Sequence, residues 1–337
     1  MRILLSRTDA IGDVILTLPM AALVKKTWPH ATVGFLCQNY ARDVVKCSPF
    51  VDEIYDWKEL SKQGSQAAAA ALKALSLDVI VHVFPNRAIA QAAKMAKIPK
   101  RIGTSRRFYH WLTCNVRLNS SRKKSDLHEA QLNCQLLLPL GAPAVPTLAQ
   151  LQELSELQVA KWWPSEGRAE QFQKDSRPKI ILHTGSRGSA RNWPLASFVE
   201  LAQMLSKHNA LVFLTGTEAE GQAFRQAFPM GELPFVIDVS GTMTLTQLIG
   251  FVASCNALVA ASTGPLHIAA ALGVCAIGLY PPLRPMHPGR WGPLGKNVQV
   301  LSKSEGCSGC PNALQCACMQ SISPQSVLQA LNKVISR

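Results

Sequence analysis

The stretch Arg7-Thr8-Asp9-Ala10-Ile11-Gly12-Asp13 follows the apolar run Met1 to Ser6 and leads into Val14, Ile15, Leu18, Met20 and Leu23, apolar positions at helical spacing. Strand, tight glycine turn and helix are the parts of a nucleotide-binding loop. The chemistry differs from such a loop. A phosphate cradle uses Gly-x-Gly-x-x-Gly and bare N–H groups at the helix start. Here a single glycine is present, and the Asp13 carboxylate stands where a phosphate would go. The positive end of the helix dipole suits that carboxylate and leaves no room for a second anion. The loop reads as one that presents a base to a neutral hydroxyl.

Working outward, strand-like and helix-like segments alternate twice. The first series predicts strands at Ile3 to Ser6, Thr32 to Cys37, Glu53 to Asp56, Asp78 to Val83 and Arg101 to Gly103. Helices are expected at Leu60 to Leu75, Ile89 to Lys97 and Leu127 to Leu138, the last ending at Gly141. A proline-rich, polar region from Pro143 to Pro178, with a helical piece near Leu154 to Trp163, marks the boundary. The second series runs from a strand at Lys179 to His183 through Ala210 to Thr215, Phe235 to Asp238 and Ala257 to Ala260, to a strand at Ala276 to Tyr280. Helices lie between these strands, and one more is expected at Pro324 to Ile335. Repeated βα units imply an α/β protein with parallel sheets and right-handed crossovers. The expected division is an N-terminal domain over 1–165, a C-terminal domain over 178–322, and a final helix over 323–337 that packs back on the first domain. Two such domains in tandem place a ligand cleft between them.

The 337-residue chain is 47% hydrophobic, which supports sizeable cores and argues against disorder. No apolar run reaches the roughly 18 residues of a membrane-spanning helix. Arg7, Asp9 and Asp13 interrupt any secretory signal, so a cytoplasmic location is expected. The net charge of +14 is unevenly placed: ten basic residues and no acid lie between Lys94 and Lys124. A solvated surface explains this, and so does a patch for an anionic lipid or phosphorylated substrate. No recognition-helix, RNP-type or zinc-finger pattern surrounds it, so nucleic acid is not expected as a partner.

Three further loops carry polar chemistry. Ser262-Thr263-Gly264-Pro265-Leu266-His267 follows an apolar strand and opens an alanine-rich helix. Capping accounts for Ser262, Thr263 and Pro265. A diphosphate at the helix N-terminus accounts for Gly264 as well. His267 suits either core packing or ligand contact. The loop Thr184 to Pro194 offers Ser186 and the cations Arg187 and Arg191 to phosphate oxygens, or is simply a basic turn. Gly216 with Glu218 and Glu220 places carboxylates at a strand end, for ribose hydroxyls or for dipole compensation. Six of ten cysteines are scattered as ordinary thiols. Cys307, Cys310, Cys316 and Cys318 cluster, and suit reduced structural thiols, a structural metal or a disulfide.

Together these motifs resemble glycosyltransferase family 9, the heptosyltransferases of lipopolysaccharide core assembly. The likeness covers nearly the whole chain. It rests on Arg7 to Pro19, Thr263 to His267, the His128-Glu129 helix ending in Leu140-Gly141, the Arg191-x-Trp193-Pro194 segment and the Cys307 to Met319 run. The resemblance implies a GT-B fold, two Rossmann-like domains facing a central cleft. The N-terminal domain would bind an anionic glycolipid acceptor and the C-terminal domain a nucleotide-activated sugar, ADP-heptose in the best-known members. It makes Asp13 the catalytic base. Arg7, Asp9, Gly12, Arg101, Arg106 and Arg107 are the acceptor-side candidates. Thr184, Ser186, Arg187, Arg191, Gly216, Glu220, Ser262, Thr263, Gly264, Pro265 and His267 are the donor-side candidates. Glu220, or alternatively Glu218, would meet the ribose, and Arg191 stands where many members carry a lysine. Ser262 departs from the family, many members of which have Asp there, which opens the donor to a related nucleotide sugar.

No acidic cluster has metal-binding spacing, so fixed cations are expected to stand in for Mg²⁺, with no cofactor required. Peripheral contact with the inner membrane would follow from the basic stretch. Two rival readings are a GT-B-type nucleotide-sugar epimerase and a non-catalytic relative kept for assembly.

Overall fold

The computed structural model describes residues 1–122, 125–186, 188, 190–284, 286–303, 307 and 316–336. The chain divides into two units, Met1–Gln158 and Val159–Arg337.

The first unit holds strands β1 (Arg2–Ser6), β2 (Thr32–Cys37), β3 (Glu53–Asp56), β4 (Val79–His82), β5 (Lys100–Thr104) and β6 (Val116–Leu118). They form one parallel sheet in the order β3-β2-β1-β4-β5-β6. The chain winds to one side of β1 and then crosses to the other. The order therefore reverses between β1 and β4, where Ser6 pairs with His82. Ligands of doubly wound sheets bind beyond the carboxyl ends of the strands at such a reversal. The Asp13 loop leaves the sheet there. Ile3, Leu4, Leu5, Ile80 and Val81 are fully buried, because helices cover both faces.

The second unit repeats the plan with β7 (Lys179–His183), β8 (Leu211–Thr215), β9 (Val236–Asp238), β10 (Ala257–Ala261), β11 (Cys275–Tyr280) and β12 (Val298–Ser302). Their order is β12-β11-β10-β7-β8-β9, which reverses between β7 and β10. The loops after β7 and β10 are the ones singled out above for anions.

Several expectations shift. Strands β6 and β12 were not anticipated; both are edge strands with half-exposed, weakly apolar sequences. The helix expected over Leu60 to Leu75 is two, Trp57–Leu60 and Ser65–Ala74, because Gly64 adopts φ +93°. Helix Glu129–Cys134 passes into a 3₁₀ turn, Gln135–Leu140, that accommodates Pro139. The helical piece near Leu154 to Trp163 is instead Leu148–Leu154, capped by Thr147.

The division after Gln158 falls within the proline-rich region, and packing assigns the residues that follow it to the second unit. Trp163 packs its ring on Phe213 and Phe251 at centroid distances of 5.4 and 5.0 Å. The Trp162 amide donates to the Gly250 carbonyl at 3.1 Å. The final helix, Pro324–Ile335, belongs to the second unit. Its buried Val327, Leu328 and Leu331 join the core formed by Phe198, Leu201 and Ile277.

Candidate active site

Arg7 is the first residue beyond β1, and its side chain is buried. Its guanidinium donates to four groups: Asp9 at 2.6 Å, Asp13, Glu129 at 3.1 Å and the Asn133 amide oxygen at 3.4 Å. Asp9 lies in the turn, Asp13 in the first turn of helix Ile11–Ile15, and Glu129 and Asn133 on helix Glu129–Cys134. Arg122 closes the cluster, donating to Glu129 at 3.1 Å, to Asn133 at 2.9 Å and to the Val83 carbonyl, just past β4, at 3.2 Å. Both strands flanking the reversal thus feed one polar centre.

The short helix that carries Asp13 is held from below. Thr17 donates its hydroxyl to the Asp13 carbonyl at 2.8 Å, and Asn133 donates to Thr17 and to the Leu16 carbonyl at 3.1 and 3.2 Å. Tyr40 donates its hydroxyl to the Asp9 carbonyl. Neither backbone nor rotamer is free to wander, as a positioned base requires.

Three carboxylates share one buried guanidinium and one half-buried one. Burial pushes the Asp13 carboxyl up, Arg7 pulls it down, and the charges of Asp9 and Glu129 push it up again, leaving it at about 6. Burial likewise raises Asp9, against the pull of Arg7. Burial works against the Arg7 cation, but Asp9, Asp13 and Glu129 outweigh it and raise its pKa. The result is a carboxylate that retains one-fifth side-chain exposure, ionises near neutrality and has its orientation fixed by Arg7. Those are the attributes of a general base.

The structure brings Arg7, Asp9, Gly12 and Asp13 together as expected. It places the other acceptor-side candidates apart from them. Arg101 in β5 donates to the carbonyls of Thr113 (2.8 Å) and Ile98, so its guanidinium holds the local fold together. Arg106 and Arg107 are exposed in the turn beyond β5, two strands from Arg7. Arg122, Glu129 and Asn133 were missing from the candidates. Their signal was legible: Glu129 and Asn133, four residues apart, put two polar side chains on one face of a helix that the surrounding pattern buries.

In the second unit the donor-side candidates gather around the β7–β10 reversal. Thr184 and Ser186 are buried, and Ser186 donates to the Ala190 carbonyl at 3.2 Å across the turn. The loop is anchored at its far end by Trp193, fully buried, whose indole donates to the Ile322 carbonyl at 2.9 Å. Arg191 follows that turn, half-buried; Arg187 lies outside the described residues.

Helix Gly264–Ala271 begins directly after β10 with Pro265 in its first turn. Thr263 occupies the N-cap position, yet its side chain makes no cap. Its hydroxyl is buried and unpartnered among the described residues. A buried hydroxyl left unpaired beside free helix N–H groups is set for an external acceptor. His267 is buried one turn further on. Ser262 interacts with the Tyr280 hydroxyl, which itself donates to the Trp291 carbonyl at 2.7 Å.

Glu220 belongs to a capping box, accepting from the Thr217 amide at 2.8 Å and the Thr217 hydroxyl at 2.9 Å. Its carboxylate lies so close to Gly185 that a Cβ there would sit 2.0 Å from it. Gly185 and Glu220 therefore tie the β7 loop to the β8 loop. Glu218, the alternative, is exposed and paired with Arg225 at 2.7 Å.

Of the cysteine cluster, Cys316 and Cys318 are buried beside Met319, and Cys307 packs against the same core. Cys310 lies outside the described residues.

A family model described as glycosyltransferase family 9 (heptosyltransferase) matches residues 67–318. A Haemophilus influenzae chain described as a "putative glycosyltransferase" is 28% identical over 304 residues, covering 87% of this chain and 86% of its own. The lipopolysaccharide heptosyltransferase 2 of Escherichia coli is 24% identical over 359 residues, covering 99% of each. Among solved structures, ADP-heptose LPS heptosyltransferase II of E. coli superposes with a TM-score of 0.75 at 21% identity, over 100% of this chain and 99% of that one. A family 9 glycosyltransferase from Veillonella parvula superposes with a TM-score of 0.79 at 20% identity, over 99% and 97%.

Proposed function

The chain belongs to glycosyltransferase family 9, the heptosyltransferase family, with the α/β units of a GT-B fold, and on that footing we propose that it moves a heptose from ADP-heptose to a lipopolysaccharide inner-core acceptor with inversion at the anomeric carbon. The observation that carries the catalytic part is the Asp13 carboxylate, fixed by Arg7 beyond β1 and poised at about 6. Asp13 takes the proton from an acceptor hydroxyl. The freed oxygen attacks the anomeric carbon, the bond from that carbon to the diphosphate breaks, and the pair of electrons leaves with the diphosphate. Thr263, the N-terminus of helix Gly264–Ala271 and Arg191 are assigned to the departing charge, and Glu220 to the ribose.

The names of the relatives support heptose and lipopolysaccharide. Ser262, turned to Tyr280, keeps a second nucleotide sugar open as donor. The acceptor being a membrane lipid, the reading includes peripheral contact at the cytoplasmic side of the inner membrane. No helix among the described residues is long and apolar enough to cross a membrane.

The test is incubation with a panel of nucleotide sugars, with and without heptose-deficient lipopolysaccharide. Nucleotide release that requires the acceptor is expected, and ADP-heptose should be the best donor. Turnover or epimerisation without acceptor would overturn transfer. Release from a different donor would overturn the choice of sugar alone.

A second expectation concerns Gly185. Gly185→Ala drives a Cβ into the Glu220 carboxylate and should raise the donor KM roughly tenfold, the worth of one hydrogen bond to a charged group, with little change in kcat. Gly231→Ala, where a Cβ meets nothing within 4 Å, is the control. An unchanged KM in Gly185→Ala would remove Glu220 from the donor site.

A further inference from the structure

Helix Phe108–Thr113 is amphipathic the wrong way round. Its polar members His110 and Thr113 are buried, while Phe108, Trp111 and Leu112 are 83%, 58% and 63% exposed. The three lie at i, i+3 and i+4, so they share one face of the helix. A soluble surface has no use for such a face, since each exposed ring or branched chain forfeits its burial.

Its neighbours explain the arrangement. Arg106 and Arg107 precede the helix and are exposed. The Arg117 guanidinium stacks 4.6 Å from the Trp111 ring. Trp111 donates its indole N–H to the Ser105 carbonyl at 3.0 Å, which holds the ring in place while it stays largely exposed. Helix Arg87–Met95 packs alongside and ends in exposed Lys94 and Met95. No acidic residue occurs between Asp78 and Asp126.

We propose that helix Phe108–Thr113 is a membrane anchor: Phe108, Trp111 and Leu112 enter the interfacial layer of an anionic bilayer while the surrounding arginines hold its phosphates. Charge complementarity selects this occupant. An apolar face ringed by cations fits a surface that is apolar below and anionic above, and aromatic rings favour that depth. The inference deepens the proposed function and rests on it for its purpose, namely bringing the enzyme to a lipid acceptor. The two fail separately, because vesicle binding needs neither donor nor acceptor.

The experiment is co-sedimentation of the full chain with vesicles of phosphatidylethanolamine containing about 30% phosphatidylglycerol, and with phosphatidylcholine vesicles. The wild type should bind the anionic vesicles, and about 0.5 M NaCl should weaken binding without abolishing it. The triple variant Phe108→Ser/Trp111→Ser/Leu112→Ser alters only exposed positions, so it should fold. It should bind at least about tenfold more weakly while keeping its turnover on a soluble, delipidated acceptor. Equal binding by the variant, or no binding by the wild type, would overturn the anchor. So would a wild-type dimer that the variant dissociates, which would make the face a contact between copies. Loss of turnover on the soluble acceptor would overturn it too, by placing the helix in the acceptor site.

Discussion

Asp13→Asn is expected to lower kcat by about 10²–10⁴ while leaving the Kd for the nucleotide sugar unchanged. The amide keeps the size of the carboxylate and can still meet Arg7 through its oxygen, so the polar centre stays filled. What it loses is the ability to accept the hydroxyl proton. The pH dependence follows from the raised carboxyl. Turnover needs Asp13 ionised, so kcat/KM should fall on the acid side with an apparent pKa of about 6, and the limb should vanish in Asp13→Asn. Stability should move the other way. A carboxyl whose folded pKa lies above its unfolded value favours the folded state only when protonated. The cost of ionising it is absent below its ordinary range of about 4 and is fully present above about 6. Asp13→Asn should therefore raise Tm at pH 8 relative to wild type and bring no gain near pH 4. Thermal melts at the two pH values check the stability half and steady-state kinetics the catalytic half. Retained turnover, or a variant less stable at pH 8, would refute the assignment. Lost turnover together with a raised Tm at pH 8 would mark Asp13 as a site where activity is held at the expense of stability.

Much of this centre was legible because it sits where topology puts ligands. Strand–turn–helix at the chain's start, with one glycine and a terminal carboxylate, was enough to single out Asp13. The loops after β7 and β10 were singled out the same way, since capping residues, Gly264 and Pro265 write a helix start into sequence. Partners from far along the chain were not found by this route. Glu129 lies 122 residues from Arg7, and only the fold turns that separation into 3.1 Å. The reading also took the arginines from Arg101 to Arg107 as a single surface. In fact Arg101, in β5, donates to carbonyls while Arg106 and Arg107, in the turn beyond it, stay in solvent, a difference that charge counting does not register. Helix Phe108–Thr113 escaped for the related reason that its apolar residues face out, so periodicity alone could not say which face was core. Within the proline-rich region, the residue at which the second unit begins is set by Trp163 packing on Phe213 and Phe251, a contact that prolines do not announce.

Arg7→Leu is expected to cost about 3–5 kcal/mol of stability, the penalty for leaving buried carboxylates without their cation. Arg122 still serves Glu129, so the loss falls on Asp9 and Asp13. Without the guanidinium both carboxyls rise further, and the variant's deficit depends on pH in a direction that can be worked out. Raised carboxyls destabilise when ionised, so the deficit should be largest at pH 8 and should shrink as pH falls toward 5 and the groups take up protons. The acid limb of kcat/KM should move above 6 in whatever activity remains, because the pull of Arg7 on Asp13 is gone. Should the single variant fail to fold, Arg7→Leu/Asp9→Asn removes the cation and one of the carboxylates it pairs with together, and should recover roughly 1–2 kcal/mol. Denaturant melts of wild type, single and double variants at pH 5 and pH 8 separate two roles for Arg7. A deficit that is the same at both pH values and is not relieved by Asp9→Asn would mean that Arg7 serves the core by its bulk. A deficit that follows pH and yields to Asp9→Asn means that its charge is what allows three carboxylates to share one pocket, and so what keeps Asp13 ionisable at the pH where it must accept a proton.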